Sequence, residues 1–471
     1  MRRILPACLL AAFGAGVALI SDLPAPYALA VGAFAALGLW ALHRVEAGLL
    51  RRWGDASLAT WVRDDLIAWI PLACTPLLIP AQPLWARLGG ALELAQAGTV
   101  YFPWLGDWFR LSAAEYVRLL AFGVLWIAAG IVKLWAWLRA LDRCTRGSPV
   151  RERAGWLLGT ALAALVWLQG WPAAVHPPVG DEVHYLLMAR SLTASGDIDL
   201  QDEFAGKLWQ RDYPSARLDF HGPPDEQGRW ISRHLPTLSV MLAPALAAGN
   251  RWSASLVTIA CMAAVAWLLY GLARDFGAGP PAARRLFGWA LLTAPVSVYG
   301  YLLYPVAPAA LGMLVGVRSV LRLDAPGRGA GIGLLAGFLP WLHPGFTAPA
   351  AVLVAAALWR ARHDVARLGL PVIGGVLATG LVWLAGYTAF FQAPLTSGEY
   401  AFGFRWRFFA TAWLGFIADR HYGILAAAPV FVLAAAACVR IRSSLRTAAV
   451  ALVAGMPLAS ALLASCFVDW T

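Results

Sequence analysis

The sequence predicts an all-α, polytopic membrane protein with about 11–13 transmembrane helices and an external loop that contains an amphipathic helix. Three observations lead to this fold class. Hydrophobic residues make up 60% of the 471 residues and charged residues only 13%, which is far from the composition of soluble proteins. Apolar runs close to the length of a bilayer span recur along the chain. Arginines cluster in the short loops between these runs.

The first part of the chain, residues 1–154, is predicted to be an amino-terminal transmembrane extension with about four spans. These spans are expected near residues 4–20, 27–43, 65–84 and 117–137. Arginine-bearing loops follow the second and the fourth run, and the positive-inside rule places both loops in the cytoplasm. The amino terminus is therefore expected to be cytoplasmic.

The second part, residues 155–471, is predicted to be the main transmembrane domain. Its spans are expected near residues 155–172, 253–272, 285–303, 305–321, 330–342, 345–360, 370–391, 423–439 and 447–467. The same charge rule places two long loops outside the cell, residues 172–236 and 392–422. A multi-pass protein of the cytoplasmic membrane with an external, or periplasmic, active site is expected.

The net charge of +11 does not by itself indicate a nucleic-acid-binding protein. Such proteins collect their positive residues on one face or along one helix. Here the arginines alternate with apolar runs, as membrane topology requires. No nucleic-acid partner is therefore expected, and membrane lipids are the expected surroundings of the chain.

The polar stretch Gly180–Leu200 follows the predicted span at 155–172, and Asp181 and Glu182 open it. Apolar residues then recur at the helical spacing i, i+3, i+4 and i+7: Tyr185, Met188, Ala189 and Leu192. Gly196 is suited to ending this helix. An amphipathic helix here would lie in the membrane interface and hold its acids within reach of a lipid-linked substrate. Alternatively, Asp181 is only an N-cap that accepts hydrogen bonds from the first backbone amides.

The second external loop, residues 392–422, combines cationic and aromatic side chains. Its charged residues include Arg405, Arg407, Arg420 and His421, and its aromatic residues include Phe402, Phe404, Trp406, Phe408, Phe409 and Trp413. This pattern is typical of an interfacial surface that receives an anionic lipid head group, and also of a plain aromatic belt.

Four segments, taken in order, carry a family resemblance. They are Asp181-Glu182 with Tyr185 and the Gly196-Asp197 turn, Ser232–Pro236 leading into Leu242–Pro244, Gly337–Pro344, and Asp419–Gly423 followed by Ala428–Val430. Together they resemble the GT-C class of integral-membrane glycosyltransferases, in particular the bacterial relatives of protein O-mannosyltransferases and aminoarabinose transferases. The resemblance covers the chain from about residue 155 to its end.

The resemblance implies an activity and a set of partners. A member of this class would transfer a sugar from a polyprenyl-phosphate donor to a lipid, glycan or protein acceptor at the outer face of the cytoplasmic membrane. Inverting transfer needs one carboxylate to take the proton of the acceptor hydroxyl, because the leaving phosphate carries its own charge. By resemblance, Asp181 is the expected general base.

The other expected site residues divide into two groups. Glu182 would orient Asp181, raise its basicity or ligate a divalent ion, Mg²⁺ or Mn²⁺. Adjacent helix residues point about 100° apart, so such an ion would need further ligands from elsewhere. The expected substrate-binding residues are Tyr185, Arg233, His234, His343 and Arg420. Arginine suits the phosphate because its guanidinium binds two oxygens at once.

The chain also departs from the family pattern. Gly345 and Phe346 follow the His343-Pro344 pair, where the family often has a basic residue. Four apolar runs precede the acidic loop, which in many relatives follows the first span. Relatives usually continue through a glycine-rich external loop beyond the position that corresponds to Thr471.

Three other functions are left open by the residues alone. A transporter would carry ionisable residues within its spans, and these runs are nearly free of acids. A lipid-phosphate phosphatase or phosphotransferase would need a nucleophile and an Arg/His phosphate site, for which the loop histidines are candidates: His221, His234, His343 and His421. A non-catalytic membrane scaffold is the third.

Overall fold

The computed structural model describes residues 99–102, 107–110, 113–144, 180–213, 217–222, 228–232, 234–292 and 294–391, with a few isolated positions between 157 and 178. Some predictions therefore lie outside the described residues. They concern the spans near 4–20, 27–43, 65–84, 423–439 and 447–467, the second external loop, and residues Arg233 and Arg420.

The described part of the chain is mostly helical. A short antiparallel hairpin of β1 (Thr99–Phe102) and β2 (Asp107–Arg110), with Thr99 opposite Arg110, departs from the all-α prediction. Helix α1 (Ala113–Cys144) contains the predicted span at 117–137. Large apolar side chains are exposed along one face of α1, at helical spacing: Leu120, Val124, Ile127, Ile131 and Trp135. Such a stripe is typical of a surface that contacts lipid or another apolar partner.

The first external loop forms a small folded unit. It contains α2 (Glu182–Ala194), α3 (Gln201–Ala205) and a 3₁₀ turn at Leu208–Arg211. Helix α4 (Thr237–Ala248) follows, and α2 packs on it around the buried side chains of Leu186, Leu238 and Leu242.

Seven further helices complete the described chain. They are α5 (Arg251–Asp275), α6 (Pro280–Leu292), α7 (Ala294–Tyr301), α8 (Val306–Leu321), α9 (Pro326–Leu342), α10 (Thr347–Ala361) and α11 (Leu370–Phe391). A 3₁₀ turn at Pro344–Phe346 precedes α10, and a π turn at Val365–Gly369 precedes α11. Where one span was predicted at 285–303, the chain forms two shorter helices, α6 and α7.

Three helical segments among the described residues are long and apolar enough to cross a membrane: Arg251–Asp275, Pro344–Ala361 and Val365–Gly386. They coincide with the predicted spans at 253–272, 345–360 and 370–391. Shorter apolar helices cover Leu120–Ala136, Thr237–Ala248 and Val306–Leu321. The membrane class predicted from composition is supported to this extent.

Helices α9 and α11 pack with their backbones almost in contact. A Cβ atom at Gly333 would overlap the backbone of Val372, and one at Gly375 would overlap the backbone of α9. Glycines spaced by four residues allow such an approach and are common where membrane helices pair. This packing fixes the end of α9, after which His343 follows directly.

The prediction of an amphipathic helix after Asp181 is right about the helix and wrong about its surroundings. Gly196 ends the helix as predicted, with φ +80° and its N–H donated to the carbonyl oxygen of Ser191. The polar residues Glu182, His184 and Ser191 are nevertheless buried together with the apolar ones. Helix α4 and the returning loop cover both faces of α2, so it does not present one apolar face to lipid.

Candidate active site and metal-binding cluster

Asp181 stands immediately before α2 at a glycine turn. Gly180 adopts φ +56°, and a Cβ atom there would lie 2.9 Å from the hydroxyl oxygen of Tyr304, so the position requires glycine on both counts. The carbonyl oxygen of Asp181 accepts the N–H groups of His184 and Tyr185 at 3.0 and 3.1 Å. Its carboxylate makes no hydrogen bond to the first helical turn. The N-cap function left open by the sequence is therefore not what this carboxylate does.

Two histidines from the far end of the loop approach this carboxylate. Asp181 Oδ1 lies 3.8 Å from His221 Nδ1 and 3.5 Å from His234 Nε2. The two imidazole nitrogens lie 3.1 Å apart. The side chains of Asp181, His221 and His234 are 43%, 38% and 10% exposed, so solvent or substrate can reach the carboxylate. We call these three side chains the Asp–His–His cluster.

The first turns of α2 support the cluster with aromatic rings. The ring of His184 is buried and stacks on that of His221, with 3.9 Å between ring centroids. The ring of Tyr185 lies 5.2 Å from that of His234, at a tilted angle. Tyr185 is held in turn because its carbonyl oxygen accepts the hydroxyl of Ser239 in α4 at 2.9 Å. The orientation of both cluster histidines is thus set by the helix that Asp181 begins.

Backbone pairing fastens the segment that carries His234. Leu200 N–H donates to the carbonyl oxygen of Trp230 at 3.0 Å, and Trp230 N–H donates to Asp199 Oδ1 at 2.8 Å. Next to this pair, Asp199 and Ile231 form an antiparallel bridge. Three residues later the chain reaches His234. The acidic residues after Gly196 therefore hold the loop in place and do not take part in the cluster.

Ion pairs brace the outside of the loop. Arg190 in α2 binds both carboxylate oxygens of Asp212, at 2.7 and 2.9 Å. Arg217 pairs with Asp219 at 2.8 Å, and both side chains are largely exposed. An exposed pair of this kind contributes about 1 kcal/mol or less.

Glu182 has a different environment from its neighbour Asp181. Its side chain is fully buried, and Oε1 accepts the backbone N–H of Leu303 at 2.8 Å. Glu182 and the buried Arg251 both interact electrostatically with the phenol group of Tyr301, at the end of α7. Glu182 therefore connects the loop to the helices. Among the described residues, it does not belong to the group of side chains that lie close enough together to hold a metal ion.

Tyr304 and His343 complete the surroundings of Asp181. Burial, with the nearby charges of Glu182 and Asp181, raises the pKa of Tyr304 to about 12, so its hydroxyl stays protonated at neutral pH. Desolvation lowers the pKa of His343, while the negative charge of Asp181 acts in the opposite direction. His343 Nδ1 accepts the N–H of Gly345 at 3.0 Å and so caps the turn before α10. Two sequence-distant segments thus meet near Asp181.

The predicted site residues fall into three groups. Asp181, Tyr185, His234 and His343 come together. Glu182 is present but turned into the protein. Arg233 and Arg420 lie outside the described residues. Sequence reasoning did not single out His184 and Tyr304, and it named His221 only for a phosphate site; no spacing rule connects these three to Asp181.

The cluster offers the ligands that a metal ion would need. Asp181, His221 and His234 each provide one ligand atom, and these atoms all lie within 4.8 Å of one another. Glu182, for which metal ligation was one of three expected functions, is not a member of this group, and Asp181 is its carboxylate.

Comparisons with family models, with curated proteins and with solved structures find no match to this chain.

A pH effect on stability is expected from Glu203 in α3. Burial, assisted by the neighbouring carboxyl of Asp202, raises the pKa of Glu203 from 4.5 to about 7. The folded protein then binds this proton more tightly than the unfolded chain, so the stabilisation is complete below about pH 4.5 and is lost as the pH rises through about 7. We expect the melting temperature of the purified protein, measured with a chelator present, to fall between pH 5 and 8.

Glu203→Gln is the variant that tests this assignment, because the amide is neutral throughout. It should flatten the fall in melting temperature over this range. Asp202 should not contribute to the fall in melting temperature between pH 5 and 8, because its pKa is lowered and it titrates below this pH range. An unchanged pH profile in Glu203→Gln would show that another group causes the effect.

Proposed function

We propose that this chain is an inverting, polyprenyl-phosphate-dependent glycosyltransferase with Asp181 as its general base. The observation that supports the proposal most is the state of the Asp181 carboxylate. It is 43% exposed, makes no helix cap, and lies beside two histidines in a loop that connects directly to apolar helices. A carboxylate that is held in place yet open to solvent is what proton abstraction from an acceptor hydroxyl requires.

The reaction would proceed in one displacement. The acceptor oxygen bonds to the anomeric carbon of the sugar as the bond from that carbon to the phosphate oxygen breaks. Asp181 takes the hydroxyl proton, and the polyprenyl phosphate leaves with the electron pair of the broken bond. Both cluster contacts of Asp181 are made through Oδ1. Its second oxygen, Oδ2, is the atom to which we assign the proton.

The topology proposed for this enzyme follows from its loops. If the arginine-bearing loops are cytoplasmic, as the positive-inside rule predicts, the loop of residues 172–236 would lie on the outer face of the cytoplasmic membrane. The lipid tail of the donor then stays in the bilayer, and its phosphate meets the protein at the interface. A lipid, glycan or protein hydroxyl would enter from the aqueous side, where Asp181 is exposed.

A second candidate function is supported by the histidine pair. The 3.1 Å separation of His221 Nδ1 and His234 Nε2 beside a carboxylate also fits an enzyme that transfers or hydrolyses a lipid-linked phosphate. Its products differ from those of sugar transfer. Hydrolysis releases inorganic phosphate from the lipid, whereas glycosyl transfer leaves the lipid phosphate intact.

The decisive experiment uses the full chain, purified in detergent or reconstituted in vesicles, with a panel of radiolabelled polyprenyl-phosphate sugars and extracted membrane acceptors. We expect the label to move from the lipid to an acceptor while the lipid phosphate is retained. Release of inorganic phosphate without movement of sugar would favour the second candidate. If no donor in the panel gives sugar transfer to lipid, glycan or protein acceptors, the glycosyltransferase proposal fails.

Two arginines are expected to bind the donor phosphate. In sequence, Arg233 lies at the end of the first predicted external loop and Arg420 just before the predicted span at 423–439, so both are expected near the membrane surface. We expect Arg233→Ala or Arg420→Ala to raise KM for the lipid donor about tenfold or more, equivalent to about 1.5–3 kcal/mol of charge-assisted binding. Initial rates at varied donor concentration measure this change.

Arg217→Ala is the matched control for these variants. Arg217 is paired with Asp219 in an exposed part of the same loop. Its loss should change KM for the donor less than twofold or so, as is usual for an exposed pair. The reverse outcome, with a sensitive Arg217 and tolerant Arg233 and Arg420, would move the phosphate site to the interior of the loop.

A further inference from the structure

From the geometry of the Asp–His–His cluster we infer that Asp181, His221 and His234 bind one divalent transition-metal ion of the zinc type. Three separate parts of the loop supply these ligands: the start of α2, the segment after Phe220, and the segment before α4. Each places one oxygen or nitrogen atom in a single small region. Two imidazoles and a carboxylate are a common ligand set of zinc and non-haem iron sites.

The spacing of the three atoms fits a metal ion quantitatively. They form a triangle with sides of 3.1, 3.5 and 3.8 Å, whose circumscribed radius is about 2.0 Å. An ion equidistant from the three atoms would therefore lie about 2.0 Å away in their plane, and about 2.1 Å away if raised by half an ångström toward a fourth ligand. Bond lengths of about 2.0–2.2 Å are those that zinc makes to histidine nitrogen and carboxylate oxygen.

The donor set also predicts which ions bind. Imidazole nitrogen favours zinc, iron, cobalt, nickel and copper, whereas Mg²⁺ and Ca²⁺ prefer oxygen ligands only. The sequence-based expectation of Mg²⁺ or Mn²⁺ with Glu182 is thus replaced by Zn²⁺ with two histidines. Glu182 cannot join the set without giving up its hydrogen bond from the buried N–H of Leu303.

The surroundings of the ligands preorganise the site. His184 stacks on His221, and Tyr185 lies against His234, so neither imidazole is free to swing away without disrupting the packing of α2. Rings held in this way lower the entropic cost of binding an ion. Because the ligands are up to 53 positions apart in sequence, a bound ion would also cross-link the loop.

An ion with three protein ligands keeps at least one coordination position open, as zinc does in catalytic sites. Oxygen from a donor phosphate or an acceptor hydroxyl is the chemical class of ligand that fits there. This catalytic part of the inference rests on the proposed sugar transfer. Metal binding itself does not, and it is measured without any donor.

The test uses the full chain purified without a polyhistidine tag, stripped with chelator and dialysed against Zn²⁺ with excess Mg²⁺. Elemental analysis is expected to give about one equivalent of zinc per chain. His221→Ala and His234→Ala are each expected to weaken zinc binding tenfold or more, as loss of one ligand should. His363→Ala is the control, because His363 is an exposed histidine between α10 and α11 and should leave the stoichiometry unchanged.

X-ray absorption of the zinc-loaded wild-type protein keeps the inference testable if a histidine variant misfolds. The expected spectrum contains two imidazoles and only nitrogen or oxygen ligands. Zinc affinity that is unchanged in both folded histidine variants, or a spectrum with sulfur or without imidazole, would overturn the site. Zinc binding in a protein that transfers no sugar supports the site while rejecting the function; sugar transfer by a protein that binds no zinc does the opposite.

A stability measurement gives an independent readout. Zinc should raise the melting temperature of the wild-type protein, because an ion that binds only the folded loop stabilises it by RT ln(1 + [Zn²⁺]/Kd). The same zinc concentration should raise the melting temperature of His221→Ala less, and that of His363→Ala as much as that of the wild type. An equal rise in all three proteins would place the stabilising ion elsewhere and contradict the assignment.

Discussion

Replacing Asp181 with Asn is expected to abolish sugar transfer and to leave unchanged the amount of folded protein and its stability in the absence of metal. Asn has nearly the same shape as Asp but does not accept a proton at neutral pH. The carboxylate makes no hydrogen bond to the first turn of α2, so no helix cap is lost. Transfer rates at equal protein concentration, together with the melting temperature of the purified variant, measure the two parts of the prediction.

Asp219→Asn is the matched control. It makes the same chemical change in the same loop, at a residue whose only described ion pair is the exposed one with Arg217. It should retain transfer activity close to that of the wild type. Turnover by Asp181→Asn at a comparable rate would remove Asp181 from the mechanism.

A variant of a neighbouring histidine distinguishes the general-base function of Asp181 from its function as a metal ligand. His221→Ala removes a proposed metal ligand but keeps the Asp181 carboxylate. If the ion takes part in catalysis, His221→Ala loses zinc and activity together, whereas if the ion only stabilises the loop, activity persists at temperatures below unfolding. Asp181→Asn should be inactive in either case, because the proton acceptor is gone.

Helices were the most predictable part of this chain. The apolar runs at 253–272, 345–360 and 370–391 are long, and each forms a helix within a residue or a few of the predicted bounds. The run at 285–303 was predicted as one span but forms two helices. Its composition resembles that of a continuous span, and hydropathy alone carries no information on where an apolar helix is interrupted.

The candidate site was predictable only in part. Asp181, His234 and His343 stand next to recognisable sequence patterns, and the structure brings them into one region. His221 has no periodic or motif signal, and its ring is positioned by stacking on that of His184 in α2. A contact made across a folded loop has no counterpart in local sequence spacing.

The adjacent residues Asp181 and Glu182 also show that the contacts of a site residue cannot be predicted from local sequence. From sequence, Asp181 was the expected general base and Glu182 the possible metal ligand. On a helix they point about 100° apart, so at most one can face the cluster, and which one does so depends on contacts with distant residues. The backbone N–H of Leu303, 121 positions later, donates a hydrogen bond to Glu182, so Asp181 is the carboxylate that remains beside the histidines.

The amphipathic pattern of α2 was misleading for a related reason. Residues at i, i+3, i+4 and i+7 predicted one apolar face, and the helix indeed formed. The remaining residues, including Val183, Leu186 and Leu187, are also buried. Periodicity identifies a minimum apolar face; it does not exclude that a second layer, here α4 and the returning loop, covers the other side.

Glu182→Ala is expected to reduce the stability of the folded protein. The Leu303 N–H is buried and would lose its acceptor, at a cost of about 2 kcal/mol or more for a charge-assisted hydrogen bond. For a chain of 471 residues, that loss lowers the melting temperature by about 2 °C or more. Thermal unfolding of the purified variant, with gel filtration to detect aggregation, measures the effect.

Glu182→Gln separates the hydrogen bond from the charge. Its amide oxygen can still accept the Leu303 N–H, so this variant should retain most of the stability that Glu182→Ala loses. Because Glu182 is buried away from the Asp–His–His cluster, Glu182→Gln should also bind zinc as the wild type does. The contact with Leu303 predicts that Glu182→Gln binds zinc and that His221→Ala binds it more weakly. If Glu182→Gln instead loses zinc binding and His221→Ala keeps it, Glu182 is the metal ligand.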